Sequence, residues 1–316
     1  MRGAGIVIVT YNSAAEIDPC LEAALARCGP DDSIVVVDNA SRDGTADRAR
    51  KLGVKVKVLA NPLNRGFAAA ANQGVRAVSQ NLILLLNPDA VLETGLDPMR
   101  QACERPEVAA VGGRLVDGRG QLQRGFAVRR LPTPAALALE ALLVNRLWPR
   151  NPVNWHYRCL GLNLNLAARV EQPAGALFMF RRDVWERLGG FDESFEPLWF
   201  EDVDFCKRIL DAGYQVYYVP NVVARHKGGH SAGQIPVESR GVYWYGNLLR
   251  YAAKHFRPGA TRAVCFAILV GSFLRMVMGI VFRLSLKPIA EYSRVARLAG
   301  RVLSLGPAGV TRSVVD

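Results

Sequence analysis

Three carboxylates stand within four residues of one another in the chain. Glu201, Asp202 and Asp204 follow an aromatic loop and open a stretch with helical spacing. Carboxylates this close repel one another, so one of them has a raised pKa or lies beside a cation. A carboxyl group of this kind is suited to act as a general base. The alternative is that the acids decorate a helix N-terminus, where they suit the dipole, and Asp204 is assigned only a capping or ion-pair role.

Other polar residues directly follow apolar runs that are typical of buried strands. Asp38 and Asn39 follow one run, and Asp89 ends the sequence NPD after another. Asp38 and Asn39 can hydrogen-bond a nucleobase or a ribose, or they simply form an Asx turn. One carboxylate such as Asp89, together with substrate phosphates, suffices to hold Mg²⁺. His226 offers a nitrogen ligand for the same cation, unless it is an ordinary packed residue.

The first 90 residues alternate strand and helix patterns that would position these side chains. Apolar runs predict buried strands at Ile6–Val9, Ile34–Val37, Val54–Leu59 and Leu82–Leu86. Helical patterns run from a Ser13 cap through Leu25, from Thr45 to Leu52 and from Phe67 to Val78. The alternation predicts an α/β fold with a doubly wound, mostly parallel sheet. Ligands bind beyond the carboxyl ends of strands in such sheets.

The second half of the chain has a less regular pattern. Residues 115–170 predict only loops and short helices that flank the site. Beyond them we expect a strand at Ala176–Phe180, a helix at Asp183–Leu188, a helix after Asp202 that Gly213 caps, and a strand at Gln215–Val219.

Charge divides the chain into a nearly neutral body and a basic tail. The 316 residues suffice for one large domain with an appendage. Residues 225–316 contain 14 Lys and Arg against three Asp and Glu, whereas residues 1–224 contain 26 against 25. The excess predicts an anionic partner for the tail, either lipid headgroups or nucleic acid. The six cysteines form no C-x-x-C pair, which fits a reducing, cytosolic setting, and the first strand leaves no room for a secretory signal.

The tail contains an apolar helix pattern that arginine interrupts. Arg275 ends the first uncharged run after 12 residues, short of the ~20 apolar residues of a membrane span. Basic and apolar residues occupy opposite sides of a helical projection: Arg262, Arg275, Arg283 and Lys287 against Val270, Leu274, Val277 and Val281. The pattern predicts a helix that lies in a membrane interface and ends before Pro288. A core-packing helix and a single span are alternatives; nucleic acid is disfavoured because the basic residues share a helix with a large apolar face.

Six motifs, in order along the chain, resemble the large family of inverting, nucleotide-sugar-dependent glycosyltransferases called family 2, which has the GT-A fold. The motifs are Ile6–Ser13, Val35–Thr45, Asn64–Asn72 (NRGFAAAAN), Leu84–Ala90 (LLLNPDA), Gly189–Asp204 and His226-x-x-Gly229-x-Ser231. The resemblance extends from about residue 4 to about residue 255. The NPD and H-x-x-G-x-S forms are most similar to the rhamnosyltransferase-type branch, which uses dTDP-L-rhamnose.

The resemblance implies a nucleotide-sugar site with a divalent cation, Mg²⁺ or Mn²⁺. The residues it assigns to the nucleotide are Thr10, Tyr11, Asn12, Asp38 and Asn39, and those it assigns to the diphosphate and sugar are Arg65, Gly66 and Asn72. Asp89 matches the last acid of the family's D-x-D metal motif, and His226 matches a later metal or diphosphate contact. Asn87 stands where the family has its first acid, which weakens the expected metal affinity.

The resemblance also implies an acceptor side. Asp202 matches the family's catalytic base, and a single carboxylate as base fits inversion better than retention. Glu201 is expected to orient the acceptor. Trp199 and Phe200 either stack on the acceptor sugar or pack in the core.

Together these expectations describe a two-part enzyme. Residues 1–255 form the GT-A domain, with a nucleotide-sugar half (1–112) and an acceptor and catalytic half (113–255), and residues 256–316 form a membrane-associating tail. The expected reaction is transfer of L-rhamnose from dTDP-L-rhamnose to a lipid-linked or cell-surface glycan at the cytoplasmic face of the membrane. A UDP-hexose donor and a non-catalytic nucleotide-binding scaffold are alternatives. A sugar nucleotidyltransferase would need a Gly-rich loop after the first strand, but the chain has Thr10-Tyr11-Asn12-Ser13 there, which disfavours that class. The acceptor, the linkage and the oligomeric state are open.

Overall fold

The computed structural model describes residues 3–53, 55–283 and 286–310, and the chain divides into two compact units. Unit 1 comprises Met1–Leu131, Arg158–Pro197 and Glu201–Gln234. Unit 2 comprises Pro132–Tyr157, Leu198–Phe200 and Ile235–Asp316. The start of the third expected strand, Val54, and the basic side chains of Arg283 and Lys287 lie outside the described part of the chain.

The strands belong to unit 1. They are β1 (Ala4–Thr10), β2 (Ser33–Asp38), β3 (Val56–Ala60), β4 (Leu82–Leu86), β5 (Ala90–Leu92), β6 (Val108–Val116), β7 (Val128–Arg129), β8 (Ala168–Val170), β9 (Gln172–Pro173), β10 (Leu177–Arg181) and β11 (Gln215–His226). Nine of them form one sheet in the order β3-β2-β1-β4-β10-β6-β11-β5, with β8 also paired to β11. The short strands β7 and β9 pair with each other in a separate two-stranded sheet.

Helices flank the sheet and build unit 2. Unit 1 contains α1 (Ile17–Arg27), α2 (Thr45–Lys51), α3 (Phe67–Ala77), α4 (Asp97–Cys103), α8 (Arg182–Arg187), α9 (Glu201–Asp211) and α10 (His230–Gly233). Unit 2 contains α5 (Pro134–Ala141), α6 (Val144–Leu147), α7 (Pro152–Tyr157), α11 (Val237–His255), α12 (Pro258–Arg283), α13 (Lys287–Leu305) and a short 3₁₀ turn (Gly306–Val310).

The sheet is mixed but mostly parallel, which confirms the expected α/β class. Strands β1, β2, β3 and β4 pair in parallel, as the alternating pattern predicts. Strand β10 inserts between β4 and β6 and is antiparallel to both. The apolar runs are buried on both faces of the sheet, in two core clusters, because helices cover both sides.

The antiparallel direction of β10 determines which residues lie at the carboxyl ends of the parallel strands. Leu177, the first residue of β10, pairs with Leu86, the last residue of β4. The residues just before β10 therefore arrive at the carboxyl end of β4. The sequence pattern predicts a strand here but not its direction, because periodicity carries no information about pairing.

Two local expectations are wrong. Ser13 does not cap α1, which begins at Ile17 with Glu16 at its N-cap; the Ser13 carbonyl instead accepts hydrogen bonds from the amides of Glu16 and Ile17. The strand that begins at Gln215 does not stop at Val219 but continues to His226. This extension carries His226 to the end of the sheet at which β4 finishes, where it pairs with Ala90.

Asp204 is an ion-pair residue. Its buried carboxylate accepts a hydrogen bond from Nε of Arg208 at 2.7 Å. Arg208 also donates to the carbonyls of Leu188 and Gly190, each at 2.8 Å. The ion pair therefore ties the start of α9 to the loop after α8, and it occupies the Asp204 carboxylate.

In unit 2, helix α12 shows an apolar side to solvent. Phe266 and Phe273 are 65% and 61% exposed, and Val277 and Val281 lie on the same side. The first 24 residues of α12 are long and apolar enough to cross a membrane, with 39% of the most apolar window buried. The predicted apolar face is thus present, and it faces outward.

The predicted basic face of α12 is wrong at Arg275. Its guanidinium donates to the carbonyls of Ala141, Glu140 and Gly271 and lies 5.7 Å and 5.5 Å from the ring centroids of Tyr245 and Tyr292. Protein therefore covers the predicted basic side of the helix at Arg275, whereas Arg262 on the same side is exposed, as predicted. Because a Cβ on Gly271 would lie 2.0 Å from the Ala141 carbonyl oxygen, only glycine permits this approach of α12 to α5.

Candidate active site

The turn between β4 and β5 holds Asp89 beside His226. The amide of Ala90 donates to the carbonyl of Asn87, which closes the turn, and His226 at the end of β11 pairs with Ala90. Nε2 of His226 lies 3.4 Å from Oδ1 of Asp89. The side chains of Asp89 and His226 are each 2% exposed. The side-chain nitrogen of Asn87, Nδ2, lies 3.5 Å from the same imidazole nitrogen.

Gln123 fixes the orientation and the tautomer of His226. Nε2 of Gln123 donates to the His226 main-chain carbonyl at 2.8 Å. This orientation puts Oε1 of Gln123 3.1 Å from Nδ1 of the imidazole, so Nδ1 carries the proton. Nε2 faces Asp89, and it can donate to the carboxylate when the imidazole is protonated or offer its lone pair to a cation when the imidazole is neutral. Hydrogen bonds of this kind are what orient histidine ligands in metal sites.

The electrostatic setting keeps Asp89 ionised. Burial by itself raises the pKa of Asp89, but the hydrogen bond from His226 and the charges of His226 and His230 outweigh it, so the pKa lies below its usual value. Gly228 also donates its amide to Oδ2 at 3.1 Å. An ionised carboxylate beside an imidazole lone pair fits a divalent cation.

The donor set is incomplete without phosphate. Within the described ranges, no cluster of three or more His, Cys, Asp and Glu side chains can hold a metal ion. Asp89 and His226 supply two ligand atoms, and a cation such as Mg²⁺ commonly takes its remaining ligands from water and substrate phosphates. The residues present fit a cation that binds together with a diphosphate.

The nucleotide-side residues are connected to one another at the ends of β1 and β2. The hydroxyl of Thr10 donates to Oδ1 of Asp38 at 3.0 Å, and the amide of Ser41 donates to Oδ2 at 3.1 Å. Asn12 has a φ of 48°, in the left-handed region that asparagine tolerates. Tyr11, which precedes it, is partly exposed at this edge.

Asn39 organises the loop that follows β3. Its amide donates to the Asn64 side chain at 2.8 Å and to the Gly66 carbonyl at 3.1 Å, and its oxygen accepts from the Arg65 amide at 3.0 Å. The Arg65 side chain is exposed. Gly66 has a φ of 77°, which suits glycine at the start of α3. Asn39 therefore does more than form a turn, and it presents Arg65 at the same edge of the sheet.

Asn72 was predicted to border the donor diphosphate and sugar, but its side chain is buried and bonded within the protein. Its side chain is 1% exposed. Its amide donates to the carbonyl of Phe191 and to Glu193, and its oxygen accepts from the Phe191 amide. The residue holds the loop after α8 onto α3 rather than bordering the diphosphate and the sugar.

Asp202 has a well-defined set of donors. Its Oδ2 accepts hydrogen bonds from the Gly175 amide at 3.1 Å and from Nε2 of Gln172 at 3.2 Å. Its Oδ1 accepts from the amide of Val203 at 2.8 Å. A Cβ on Gly175 would lie only 3.3 Å from Oδ2, so the close approach suits glycine.

Burial raises the pKa of Asp202 above its usual value. The hydrogen bonds from Gly175 and Val203 and the charge of Arg129 oppose this effect without reversing it. A carboxylate with a raised pKa binds a proton more readily, which is the property that a general base needs. Asp202 and Asp89 are thus shifted in opposite directions by their surroundings.

Two adjacent backbone residues connect the turn that carries Asp89 with the Asp202 side chain. The Ala176 carbonyl accepts a hydrogen bond from the Asn87 main-chain amide at 3.1 Å, and the neighbouring Gly175 amide donates to Asp202. Asp89 and Asp202 are far apart in the sequence, and the segment just before β10 links them through these two hydrogen bonds.

The aromatic residues before Asp202 belong to unit 2. Phe200 is 4% exposed and packs on Trp244 and Tyr251 of α11, with ring centroids 5.2 Å and 5.7 Å away. We therefore assign Phe200 to core packing. Trp199 makes an edge-on contact with Trp244 and is partly exposed. Glu201, the first residue of α9, is buried within unit 1.

The sequence pattern misses Gln123, Phe126 and Gln172. The Phe126 ring stacks on His226, with 5.3 Å between centroids and 10° between planes. Gln172 reaches Asp202 because its neighbour Pro173 lies against Gly112 of β6, where a Cβ would be 2.2 Å away. Gln123 and Phe126 lie in a loop and Gln172 lies in a two-residue strand, and such segments are too short or too irregular for hydrophobic periodicity to give a signal.

A model of the family described as "Glycosyl transferase family 2" matches residues 5–189, and one described as "N-terminal domain of galactosyltransferase" matches residues 156–229. The chain is 27% identical over 267 residues to an N-acetylglucosaminyl-diphospho-decaprenol L-rhamnosyltransferase of Mycobacterium tuberculosis, covering 79% of this chain and 84% of that protein. It is 26% identical over 231 residues to glycosyltransferase AglE of Haloferax volcanii, covering 70% and 66%.

Solved structures share the fold. A mannosyltransferase from Pyrobaculum calidifontis in complex with GDP-Man and Mn²⁺ superposes with a TM-score of 0.54 at 18% identity, over 97% of this chain and 84% of that one. S. aureus TarS 1–349 in complex with UDP-GlcNAc gives a TM-score of 0.55 at 15% identity, over 99% and 90%.

The hydrogen bond from Gln172 leads to a prediction about the pKa of Asp202. A donor favours the ionised carboxylate, so Gln172→Met should raise the pKa of Asp202 further above its usual value. Carboxyl ¹³C NMR titration measures this pKa, and the signal missing in Asp202→Asn identifies the resonance. Gln101→Met, at an exposed position of α4, is the matched control. An unchanged or lowered pKa in Gln172→Met would show that Gln172 does not stabilise the charged base.

Proposed function

The chain belongs to glycosyl transferase family 2 and has the GT-A fold, and we propose that it transfers a sugar, with inversion, from a nucleotide-sugar to a hydroxyl group of a lipid-linked glycan. The family and its relatives make it a glycosyltransferase. The observation that supports the mechanism is the link through Gly175 and Ala176, which joins the Asn87 turn to Asp202.

Asp202 is the proposed general base. As the acceptor hydroxyl attacks the anomeric carbon, Asp202 takes the hydroxyl proton, and the nucleoside diphosphate leaves from the opposite face of the sugar, which inverts the centre. Asp89 and His226 are the proposed ligands of a divalent cation, Mg²⁺ or Mn²⁺. When bound, such a cation neutralises the oxygens of the departing diphosphate.

The other site residues divide between the two substrates. We propose that the nucleotide side comprises Thr10, Tyr11, Asn12, Asp38 and Asn39, and that Arg65, Gly66 and Asn87 border the diphosphate. Trp199 is the proposed contact for the acceptor sugar, and Glu201 orients the acceptor from the start of α9. Residues 1–255 would carry out transfer, and residues 256–316 would associate with the membrane.

L-Rhamnose from dTDP-L-rhamnose is the favoured donor. The mycobacterial relative is named as an L-rhamnosyltransferase that acts on N-acetylglucosaminyl-diphospho-decaprenol, and the NPD turn is present here. We propose that the acceptor, like that of this relative, is a sugar linked through a diphosphate to a polyprenyl lipid. A UDP-hexose donor is the alternative, since a structural neighbour binds UDP-GlcNAc.

Helix α12 supports attachment to a membrane surface. Its outer side is apolar, and between Glu238 and Glu291 the chain contains basic residues but no acidic one. The opposite side of the helix packs on α5 and α13 within unit 2. A helix that protein covers along one side is suited to lie in the plane of the interface, with its apolar side in the lipid. The cytoplasmic face of the membrane, where nucleotide-sugars are available, is the proposed location.

Removing the base should abolish transfer and spare donor binding. Asp202→Asn keeps the shape and loses the proton acceptor, so kcat should fall by at least ~100-fold, while calorimetric affinity for the nucleotide-sugar stays near the wild-type value. Asp211→Asn, on the exposed end of the same helix, is the control and should retain activity. Wild-type turnover in Asp202→Asn would reject Asp202 as the base. Tight nucleotide binding without turnover on any acceptor would favour the non-catalytic scaffold.

The donor can be identified by thermal shift. The enzyme is incubated with a panel of nucleotide-sugars, with and without Mg²⁺ or Mn²⁺, and a ligand that binds only the folded state raises the unfolding temperature. We expect the largest rise with dTDP-L-rhamnose in the presence of cation. A larger rise with a UDP-hexose would overturn the rhamnose assignment and leave the family assignment intact.

The apolar side of α12 should govern lipid binding. Replacing both Phe266 and Phe273 by Ser removes two large exposed rings, each of which contributes about 1.5–3 kcal/mol when fully buried. Co-sedimentation with phosphatidylglycerol-containing vesicles should fall by tenfold or more. Leu63→Ser, at an exposed position of unit 1, should bind like the wild type. Unchanged vesicle binding by the double variant would contradict this role.

A further inference from the structure

Arg129 projects toward the base. It lies directly opposite Gln172 in the antiparallel β7–β9 pair, and side chains that face each other in such a pair lie on the same face. The Gln172 side chain reaches Asp202 at 3.2 Å. The Arg129 side chain therefore extends on the side of the β7–β9 pair that faces Asp202, and its positive charge lowers the pKa of that carboxylate.

The same side chain also approaches the cation side of the site. The Arg129 guanidinium carbon lies 5.7 Å from the centroid of Phe126. Phe126 in turn stacks on His226, which faces Asp89. The guanidinium is therefore one aromatic ring away from the proposed cation ligands and is also electrostatically coupled to the base.

The hydrogen-bonding capacity of Arg129 is only partly used. Its Nε donates to the Gly125 carbonyl at 2.8 Å, which holds the planar group in place. Among the described residues, the terminal nitrogens have no recorded hydrogen-bond partner and no carboxylate within ion-pair distance. The side chain is half-buried, and these terminal nitrogens remain accessible to a ligand.

The next residue behaves differently. Arg130 directly follows the last residue of β7. It is exposed and pairs with Glu171 at 3.0 Å. Arg130 is thus held at the surface by a carboxylate, whereas Arg129 is held by the hydrogen bond of its Nε to Gly125.

We propose that Arg129 binds a substrate diphosphate within the active site, an inference that rests on the proposed function. A planar guanidinium with two terminal nitrogens matches phosphate oxygens in a two-pronged arrangement that lysine does not reproduce. Two substrates of the proposed reaction contain this group. They are the departing nucleoside diphosphate and the diphosphate of a lipid-linked acceptor, and the chemistry of recognition is the same for both.

The test compares full-length wild-type protein with Arg129→Gln, Arg129→Lys and the matched control Arg130→Gln. Calorimetry in the presence of Mn²⁺ measures affinity for dTDP and UDP, and for dTMP and UMP, which lack the second phosphate. Kinetics measure KM for a polyprenyl-diphosphate-linked sugar and for the same sugar on a simple alkyl chain. Thermal unfolding shows whether each variant is folded.

If Arg129 contacts the leaving group, Arg129→Gln weakens nucleoside diphosphate binding by about 10- to 100-fold and leaves monophosphate binding unchanged. If it contacts the acceptor, nucleotide affinity stays at the wild-type level, and KM rises only for the diphosphate-linked acceptor. In either case Arg129→Lys shows a smaller loss of binding than Arg129→Gln, and Arg130→Gln behaves like the wild type.

Wild-type diphosphate affinity and wild-type KM for both acceptors in Arg129→Gln would overturn the proposal, even if the pH dependence of kcat shifts; Arg129 would then only tune the base. Should Arg129→Gln fail to fold, the same comparison with Arg129→Lys decides, because a phosphate contact requires its loss to affect diphosphate more than monophosphate. A wild-type protein that binds no nucleoside diphosphate would reject the proposed function itself.

Discussion

The antiparallel entry of β10 into the sheet is the constraint on which the site depends. Because Leu177 pairs with Leu86, the chain just before β10 must pass the carboxyl end of β4. Gly175 and Ala176 lie at that point, where the Gly175 amide donates to Asp202 and the Ala176 carbonyl accepts from the Asn87 main-chain amide. A parallel β10 would deliver these two residues to the opposite edge of the sheet. The proposed base and the proposed cation ligands would then share no common stretch of backbone.

The surroundings of the two acids divide their chemical roles. Asp89 faces imidazoles, and its pKa is lowered despite burial, which suits a permanent anion that holds a cation. Asp202 accepts hydrogen bonds from uncharged donors in a buried setting, and its pKa is raised, which suits a proton acceptor. Pairs of titratable groups whose surroundings shift their pKa values in opposite directions are a hallmark of acid–base chemistry. The charge of Arg129 lowers the pKa of Asp202 and so partly offsets the effect of burial.

Much of this architecture could be predicted from the sequence, and the failures have physical causes. The strands near Ile6, Ile34 and Leu82 are buried on both faces, so continuous apolar runs reveal them. Their parallel order places Asp38 and Asp89 at one edge. Gln123 and Gln172 could not be found in this way, because they act through side-chain hydrogen bonds from a loop and from a two-residue strand.

Similar limits explain the two side chains whose surroundings were misjudged. Asn72 lies in a motif that predicts a donor contact, but its amide is occupied by a loop more than 100 residues further along the chain. Arg275 lies on the basic side of a helical projection, yet the carbonyls at the end of α5 accept its hydrogen bonds. A projection shows which side chains share a face; it does not show whether solvent, lipid or protein covers that face.

The most direct measurement of the central claim is the anomalous scattering of Mn²⁺ in crystals grown with a nucleoside diphosphate. Our account predicts one Mn²⁺ peak between the Asp89 carboxylate and Nε2 of His226, with the diphosphate bound to it and with Asp202 opening onto the same cavity. A cation bound at other residues, or an Asp202 side chain separated from the diphosphate by intervening protein, would contradict it.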